Sequence, residues 1–366
     1  MGRVHGELLL KAGHSVVAVG DESLACAREA CRVLALAADS FELFESAESM
    51  ALACQRLGVV GVFVASHTRS HGADAAPFVS AGVRLYVEKP LTAKLADAFD
   101  FVARFGSSRS LMQIGLQRRF DAALVYAKAL VDARRIGDVR EIRSVLRDQY
   151  IPPATYVSPG LIVDMGIHVA DEVVWLVGEF PDKIWAHRLE AKGYDSSAAQ
   201  ALQEGGNTAF VLFTTPSGVI GRLDLSRTHS SGYNNETYII GTHGTIHVGR
   251  FAGYPGPVHV ELWLPDGTQD VAASRTFPMA NLKKGEHYAE YLPRFYDAYA
   301  AAHKAFIDTL AKPDEPFLVS HIDVLDAQVF VEAATLSADK GGVPVEIKRS
   351  DSLADYRATC TKLGLL

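Results

Sequence analysis

The sequence predicts an α/β fold: a doubly wound parallel sheet over residues 1–118, an α/β domain with a large, mostly antiparallel open sheet over 119–349, and a C-terminal tail over 350–366. Three observations predict it. Short apolar runs alternate with amphipathic helical stretches through the first part, which is the pattern of βαβ units. Beyond residue 138 strand-like runs follow one another with only turn residues between them, the signature of an antiparallel sheet. At 366 residues, 48% of them hydrophobic, the chain is long enough to bury two cores.

Strand-length apolar runs stand at 15–19, 59–65, 84–87 and 111–114, and helical stretches at 23–37, 46–57, 73–81 and 95–105. Gly13, Gly58 and Gly82 suit the left-handed turn that closes a helix. A helix at 121–133 ends at Ile136-Gly137-Asp138. Strands are then expected at 139–146, 183–191, 208–214, 219–225, 236–240, 245–248 and 258–262. Pro216-Ser217-Gly218 and Gly241-Thr242-His243-Gly244 supply turns between them. Helices at 290–310 and 321–340 and a strand at 344–347 follow. Stretches 193–207 and 268–287 are expected as mobile loops, and there is no internal repeat.

Composition excludes several function classes. Net charge is −7 with no basic block, which argues against nucleic acid as a partner. The four cysteines, Cys26, Cys31, Cys54 and Cys360, form no C-x-x-C pair, so neither a zinc site nor a redox dithiol is expected, and no metal. Cys26 and Cys31 are expected as buried structural thiols on a helix. No apolar run approaches the ~20 residues of a membrane span. No signal peptide is visible, and a reducing cytoplasm fits all of this.

Four local patterns carry chemistry. Met1-Gly2-Arg3-Val4-His5-Gly6 reads as the tail of a Gly-rich phosphate loop running into a helix, with Gly2 as its last glycine. The strand and two glycines that such a loop needs do not precede it, so the sheet is expected without its central first strand and the true start is expected upstream. Asp21 ends the next strand, where a carboxylate binds the adenosine ribose hydroxyls and repels a 2′-phosphate, favouring NAD over NADP; capping the following helix is its alternative role. Ser66, His67 and His71 follow the strand 59–65, at a position where loops meet the cofactor. Glu88-Lys89-Pro90 follows the strand 84–87, and Lys89 there can stabilise a developing alkoxide. Asp164 and His168 are four apart and share a face if helical, as a carboxylate-oriented general base requires. Gly166 inside that turn costs about 1 kcal/mol against Ala, so a close neighbour is expected.

In this order the motifs resemble the glucose–fructose oxidoreductase and inositol dehydrogenase family. The resemblance rests on Glu88-Lys89-Pro90, on Asp164-x-Gly166-x-His168-x-x-Asp171 with Trp175-Leu176-x-Gly178, on Gly115 to Asp121, and on Ile136-Gly137-Asp138-Val139. It covers almost the whole chain. Arg147-Asp148 with Pro152-Pro153, Ser231-Gly232-Tyr233-Asn234 and Arg294 to Tyr299 are most similar to the inositol dehydrogenase branch. Ser66-His67 stands where the family commonly has Thr-Pro, and 193–205 and 250–284 are longer than usual.

The resemblance implies a Rossmann domain and reversible oxidation of a ring secondary alcohol of a polyol or sugar by NAD. His168 is the implied base, oriented by Asp164, with Lys89 on the reacting oxygen. Asp148 and Tyr233 join these three in binding substrate. Cofactor contacts are implied for Gly2, Arg3, Asp21, Ser66, His67, His71, Glu88, Lys89 and Gln117. A homodimer or homotetramer through the C-terminal sheet is also implied. A sugar or glycoside 3-dehydrogenase is one alternative, and a non-catalytic regulator that senses a dinucleotide is another.

Overall fold

The computed structural model describes residues 1–148, 159–189, 206–250, 256–265, 271–282 and 291–366. The chain divides into two compact units, residues 1–117 with 299–325 and residues 118–298 with 326–366. Pro152, Pro153 and the stretch 193–205 lie outside the described residues.

The first unit runs α1 (Gly2–Lys11), β1 (Ala18–Gly20), α2 (Leu24–Val33), β2 (Glu42–Phe44), α3 (Ala47–Ala53), β3 (Val62–Val64), α4 (His71–Ser80), β4 (Leu85–Val87), α5 (Leu95–Phe105) and β5 (Met112–Ile114). Local chemistry sets these bounds. The Ser23 and Ser46 side chains accept from the Cys26 and Ser49 amides at the N-termini of α2 and α3. Along α5, Leu95, Ala98, Phe99, Phe101 and Val102 are buried, an apolar stripe that packs the helix down, and Gly106 ends it at φ 88°. At Gly6 a β-carbon would stand 2.6 Å from Leu34 Cδ1, so this glycine lets α1 lie close to the end of α2. At Gly2 the nearest atom would be Ala65 Cβ at 4.0 Å, an ordinary contact.

All strand pairs in this unit are parallel. They form two ladders, β1-β2 and β3-β4-β5, with no strand pairing between them. The expected strands were longer than the three-residue ladders that form, and β2, with its mixed Glu-Leu-Phe sequence, carries no apolar run to announce it. Residues 299–325 complete the unit. The Ile114 amide donates to the Val319 carbonyl at 2.9 Å, and the Gln113 side chain donates to the Ala302 carbonyl at 2.9 Å. The first unit is therefore built from two stretches of chain, unlike the expected uninterrupted 1–118.

The second unit holds α6 (Ala122–Asp132), β6 (Val139–Arg147), α7 (Leu161–Asp164), α8 (Gly166–Val177), β7 (Lys183–Leu189), β8 (Thr208–Thr214), β9 (Ile220–Ser226), β10 (Asn234–Gly241), β11 (Thr245–Arg250), β12 (Val258–Trp263) and β13 (Val271–Phe277). Helices α9 (Leu292–Leu310) and α10 (His321–Asp339) are each shared between the units, and β14 (Val345–Glu346) and α11 (Leu353–Leu363) close the chain. One nine-stranded sheet has the order β13-β12-β11-β10-β6-β9-β8-β7-β14. Only β6 and β9 pair in parallel. Buried and half-buried residues alternate along β8 and β12, so one face of the sheet is packed.

Four expectations are corrected. The stretch 268–287 contains β13, paired with β12 from Val258↔Phe277 to Trp263↔Val271. The expected tail is a helix, α11, capped by Ser352 and closed by Gly364 in the left-handed region. Cys26 is exposed, and only Cys31 of that pair is buried. Asp164 and His168 do not share one uninterrupted helix: Asp164 ends α7 and His168 lies in the first turn of α8, with Met165 between them at φ −90° and ψ −40°.

Candidate functional site

In the first unit, the C-terminal end of β4 brings Glu88, Lys89 and Pro90 out of a fully buried strand. The peptide between Lys89 and Pro90 is cis. Glu88 is itself buried, and His5 Nε2 lies 3.0 Å from its Oε1. Burial alone would raise the Glu88 carboxyl, but the hydrogen bond from His5 and the nearby charges of His5 and Lys89 outweigh it and hold the group below the usual carboxylate value. His5 Nδ1 lies 2.8 Å from His303 Nε2. Burial, with His5 beside it, pushes His303 down to about 3. A β-carbon on Gly115 would stand 2.8 Å from Glu88 Oε1, so glycine is what allows the carboxylate to sit there.

The loop after β3 holds the next three expected residues. Ser66 Oγ donates to Asp74 Oδ2 at 2.5 Å, and His67 is exposed. His71 is buried, with Nδ1 2.7 Å from the Pro90 carbonyl oxygen and Nε2 3.0 Å from the Ser66 carbonyl oxygen. Both ring nitrogens are thus taken by backbone. Of the two residues expected at the cofactor, His71 and Glu88, His71 has both ring nitrogens on backbone carbonyls and Glu88 has its Oε1 on His5.

Other residues of this unit fit a dinucleotide. Asp21 is exposed at the end of β1, and its Oδ1 also accepts from the Ser23 amide at 2.8 Å, so it serves the turn and remains accessible. Gly2 and Arg3 open α1, where first-turn amides favour an anion. Gln117 is buried, and its Oε1 has no hydrogen-bond partner among the described residues, which leaves an acceptor for an amide-bearing ligand.

In the second unit, Asp164 and His168 are half-buried. Arg227, itself buried, donates to Asp164 Oδ2 at 2.5 Å. Gly166 packs against the sheet: a β-carbon there would stand 3.2 Å from Leu225 Cδ1, which supplies the expected close neighbour. Asp148 follows β6, and its backbone amide donates to the Ser226 carbonyl at 2.9 Å while its own carbonyl accepts from the His229 amide at 2.9 Å. The Tyr233 hydroxyl is buried without a hydrogen-bond partner among the described residues. Burial raises its pKa, against the charges of Arg118 and Arg294.

Sequence reasoning missed two parts of this site. One is Arg227, which no spacing rule connects to Asp164. The other is a buried ionic frame around α8. Arg118 pairs with Glu172; Arg119 meets Asp171 at 3.0 and 2.5 Å; Arg294 Nη2 meets Asp121 at 2.9 Å. Glu172 also accepts from Ser144 Oγ at 3.0 Å and Thr237 Oγ1 at 2.5 Å, which ties α8 to β6 and β10. Removing one partner of such a buried pair costs about 3–5 kcal/mol. The sequence marked Gly115 to Asp121 and Asp171 as motif residues, but nothing in their spacing paired Arg118 with Glu172 or Arg119 with Asp171. The frame holds α8, and with it His168 in its first turn, against the sheet. Among the described residues no cluster of His, Cys, Asp and Glu is suited to a metal.

Residues 1–116 match the model of an oxidoreductase family with an NAD-binding Rossmann fold, and residues 124–247 match the GFO/IDH/MocA C-terminal domain. The chain is 25% identical over 355 residues to the scyllo-inositol 2-dehydrogenase (NAD+) of Bacillus subtilis, covering 95% of this chain and 93% of that protein. It is 26% identical over 298 residues to inositol 2-dehydrogenase 2 of Paenarthrobacter aurescens, covering 80% and 81%. In fold it is similar to the crystallised myo-inositol dehydrogenase of Lactobacillus casei in complex with NAD(H) and myo-inositol, at TM-score 0.76 and 23% identity, covering 97% and 96%. With both domain models matched in order on the two parts of the chain, this protein belongs to the glucose–fructose oxidoreductase and inositol dehydrogenase (GFO/IDH/MocA) family of oxidoreductases with an NAD-binding Rossmann domain.

Proposed function

We propose that the protein reversibly oxidises a secondary alcohol on the ring of a polyol or sugar, an inositol being the substrate class, with NAD as hydride acceptor. The observation that carries this reading is the Asp164–Arg227 pair at the end of α7, four residues ahead of His168 in the first turn of α8. The names and similarity of the relatives support it.

His168 takes the hydroxyl proton as general base. Asp164, held by Arg227, orients the imidazole and accepts from a neighbouring hydroxyl. Lys89 binds the reacting oxygen and stabilises its developing negative charge. Asp148 and the Tyr233 hydroxyl take further ring hydroxyls, since a polyol needs several polar partners to fix its orientation. Gly2, Arg3, Asp21, Ser66, His67, Lys89 and Gln117 contact the cofactor. Bound NAD supplies a hydride acceptor at nicotinamide C4. One secondary alcohol and one NAD+ give a ketone, NADH and a proton.

The test is NADH formation with a panel of inositols, free sugars and glucosides, alongside His168→Ala. The variant should lose about 100-fold or more in kcat with its fold intact. An unchanged kcat in the variant sinks the assignment. A parent protein that binds a dinucleotide but turns over nothing in the panel favours a sensing role.

The same reading has the protein self-associate in the cytoplasm through the face of the nine-stranded sheet opposite α8. Pairing register puts Arg143, Tyr238, Arg222, Leu212, Trp185 and His247 together on that face. They are half-buried, with Tyr238 stacked on His247 at 4.4 Å. No described helix is long and apolar enough to cross a membrane.

A further inference from the structure

Lys89 has a neighbour on each side, and a different buried histidine reaches each of them. His5 of α1 meets the Glu88 side chain at 3.0 Å. His71 of α4 meets the Pro90 carbonyl oxygen at 2.7 Å. Both histidines are 2% exposed, in a unit where a solvated imidazole would serve equally well if only helix capping were needed. We infer that His5 and His71 are positioning residues for Lys89, a pair of clamps that fix the chain immediately before and after the lysine. The inference rests on the catalytic role proposed above for Lys89.

The hydrogen-bond chemistry of each clamp is directional. His303 is neutral because burial, with His5 beside it, holds it down to about 3, and its Nε2 faces His5 Nδ1 at 2.8 Å, one of the two nitrogens donating to the other. His5 Nε2 faces the Glu88 carboxylate, which accepts, so that nitrogen carries a hydrogen. His303 thus backs the ring that grips Glu88. At His71 the two partners, Pro90 and Ser66, present carbonyl oxygens, which only accept. The nitrogen that carries hydrogen donates to one of them, and the ring fills the gap between the two carbonyls. It thereby ties the loop after β3 to the turn after β4, the ends of two adjacent parallel strands.

Two glycines make room for the clamps. A β-carbon on Gly72 would stand 2.8 Å from Thr92 Cγ2, so α4 can bring His71 against the Pro90–Thr92 turn only with glycine beside it. Gly115 does the same for the Glu88 carboxylate. Fixing the residues on both sides sets the position of the Lys89 backbone and the direction of its Cα–Cβ bond before substrate arrives, which is where positioning raises kcat.

The experiment is a double-mutant cycle on the full-length chain with NAD and myo-inositol, crossing His71→Leu with Lys89→Met. In the parent, His71→Leu should lower kcat by about tenfold or more; in the Lys89→Met background the same change should cost less than about twofold, because the group it positions is already gone. A purely structural histidine would cost the same factor in both backgrounds, and that result overturns the inference, as does an unchanged kcat in the parent. His5→Gln, which keeps one donor toward Glu88, and His71→Gln carry the same cycle if His71→Leu does not fold by circular dichroism. If Lys89→Met alone leaves kcat intact, the reading of Lys89 fails rather than the geometry of the clamps.

Discussion

Burial raises the Glu332 carboxyl on α10 from 4.5 to about 7, with Asp339 adding repulsion. In the unfolded chain the group titrates near 4.5, so between that pH and 7 the folded form holds the extra proton. Stability from this group is complete below the unfolded value and is lost as pH rises through about 7. Glu332→Gln should therefore stabilise the protein at pH 8 by about 1–3 kcal/mol and change little at pH 4, read as urea midpoints at the two pH values. A shift of the same size at both would place the effect in packing. The histidines show the other side of burial. The sequence placed His71 only in a loop expected to meet the cofactor and gave no role to His5, because their partners, Pro90 and Glu88, lie 19 and 83 residues away. Lys89 was legible because its neighbours in sequence, Glu88 and Pro90, mark the end of an apolar run.

At the scale of elements, strand register decides what a glycine does. Gly221 pairs with Phe213 across β9 and β8, and a β-carbon at Gly221 would stand 1.8 Å from the Phe213 ring. The ring lies over the glycine and fills the space that a side chain would occupy. Gly221→Ala must push the ring out of its place against Phe330, whose centroid is 5.2 Å away. It should destabilise the second unit by about 1–3 kcal/mol, measured by thermal melting. A melting temperature equal to the parent's would mean that β8 and β9 can reseat without loss. The sequence places Gly221 inside an expected strand but says nothing of the ring over it, since that constraint comes from the strand beside it. By contrast, α5 was legible end to end at 95–105, because apolar spacing is a local signal.

At the scale of the molecule, the sheet of the second unit presents one face to α8 and leaves the other lined by Arg143, Arg147 and Arg222 around the fully buried Asp224. The buried carboxylate on that face is held by those three arginines, two of which stand near aromatic rings: Arg222 is 5.1 Å from the Phe210 ring and Arg143 6.0 Å from the Tyr238 ring. Half-buried aromatics and arginines are what the central part of a protein interface carries. Leu212→Glu, placed on this face by its pairing with Trp185 and Arg222, should shift the protein toward monomer in light scattering after size exclusion. A parent that is already monomeric at micromolar concentration would remove the proposal.

Periodicity, turn residues and short motifs settled the architecture, because each is a property of neighbouring residues: α/β order, the mostly antiparallel second sheet, and the positions of Lys89, Asp164 and His168 could be read along the chain. Folding added what depends on distant pairs. It joined residues 299–325 to the first unit, made β13 from an expected loop, and broke the helix between Asp164 and His168 at Met165. It also gave Asp164 its Arg227, built the Arg118–Glu172 and Arg294–Asp121 pairs behind α8, and set His71 against the Pro90 carbonyl. The physical reason is the same throughout. A buried charge or imidazole must find a partner, and which partner it finds depends on packing that brings together residues up to hundreds of positions apart.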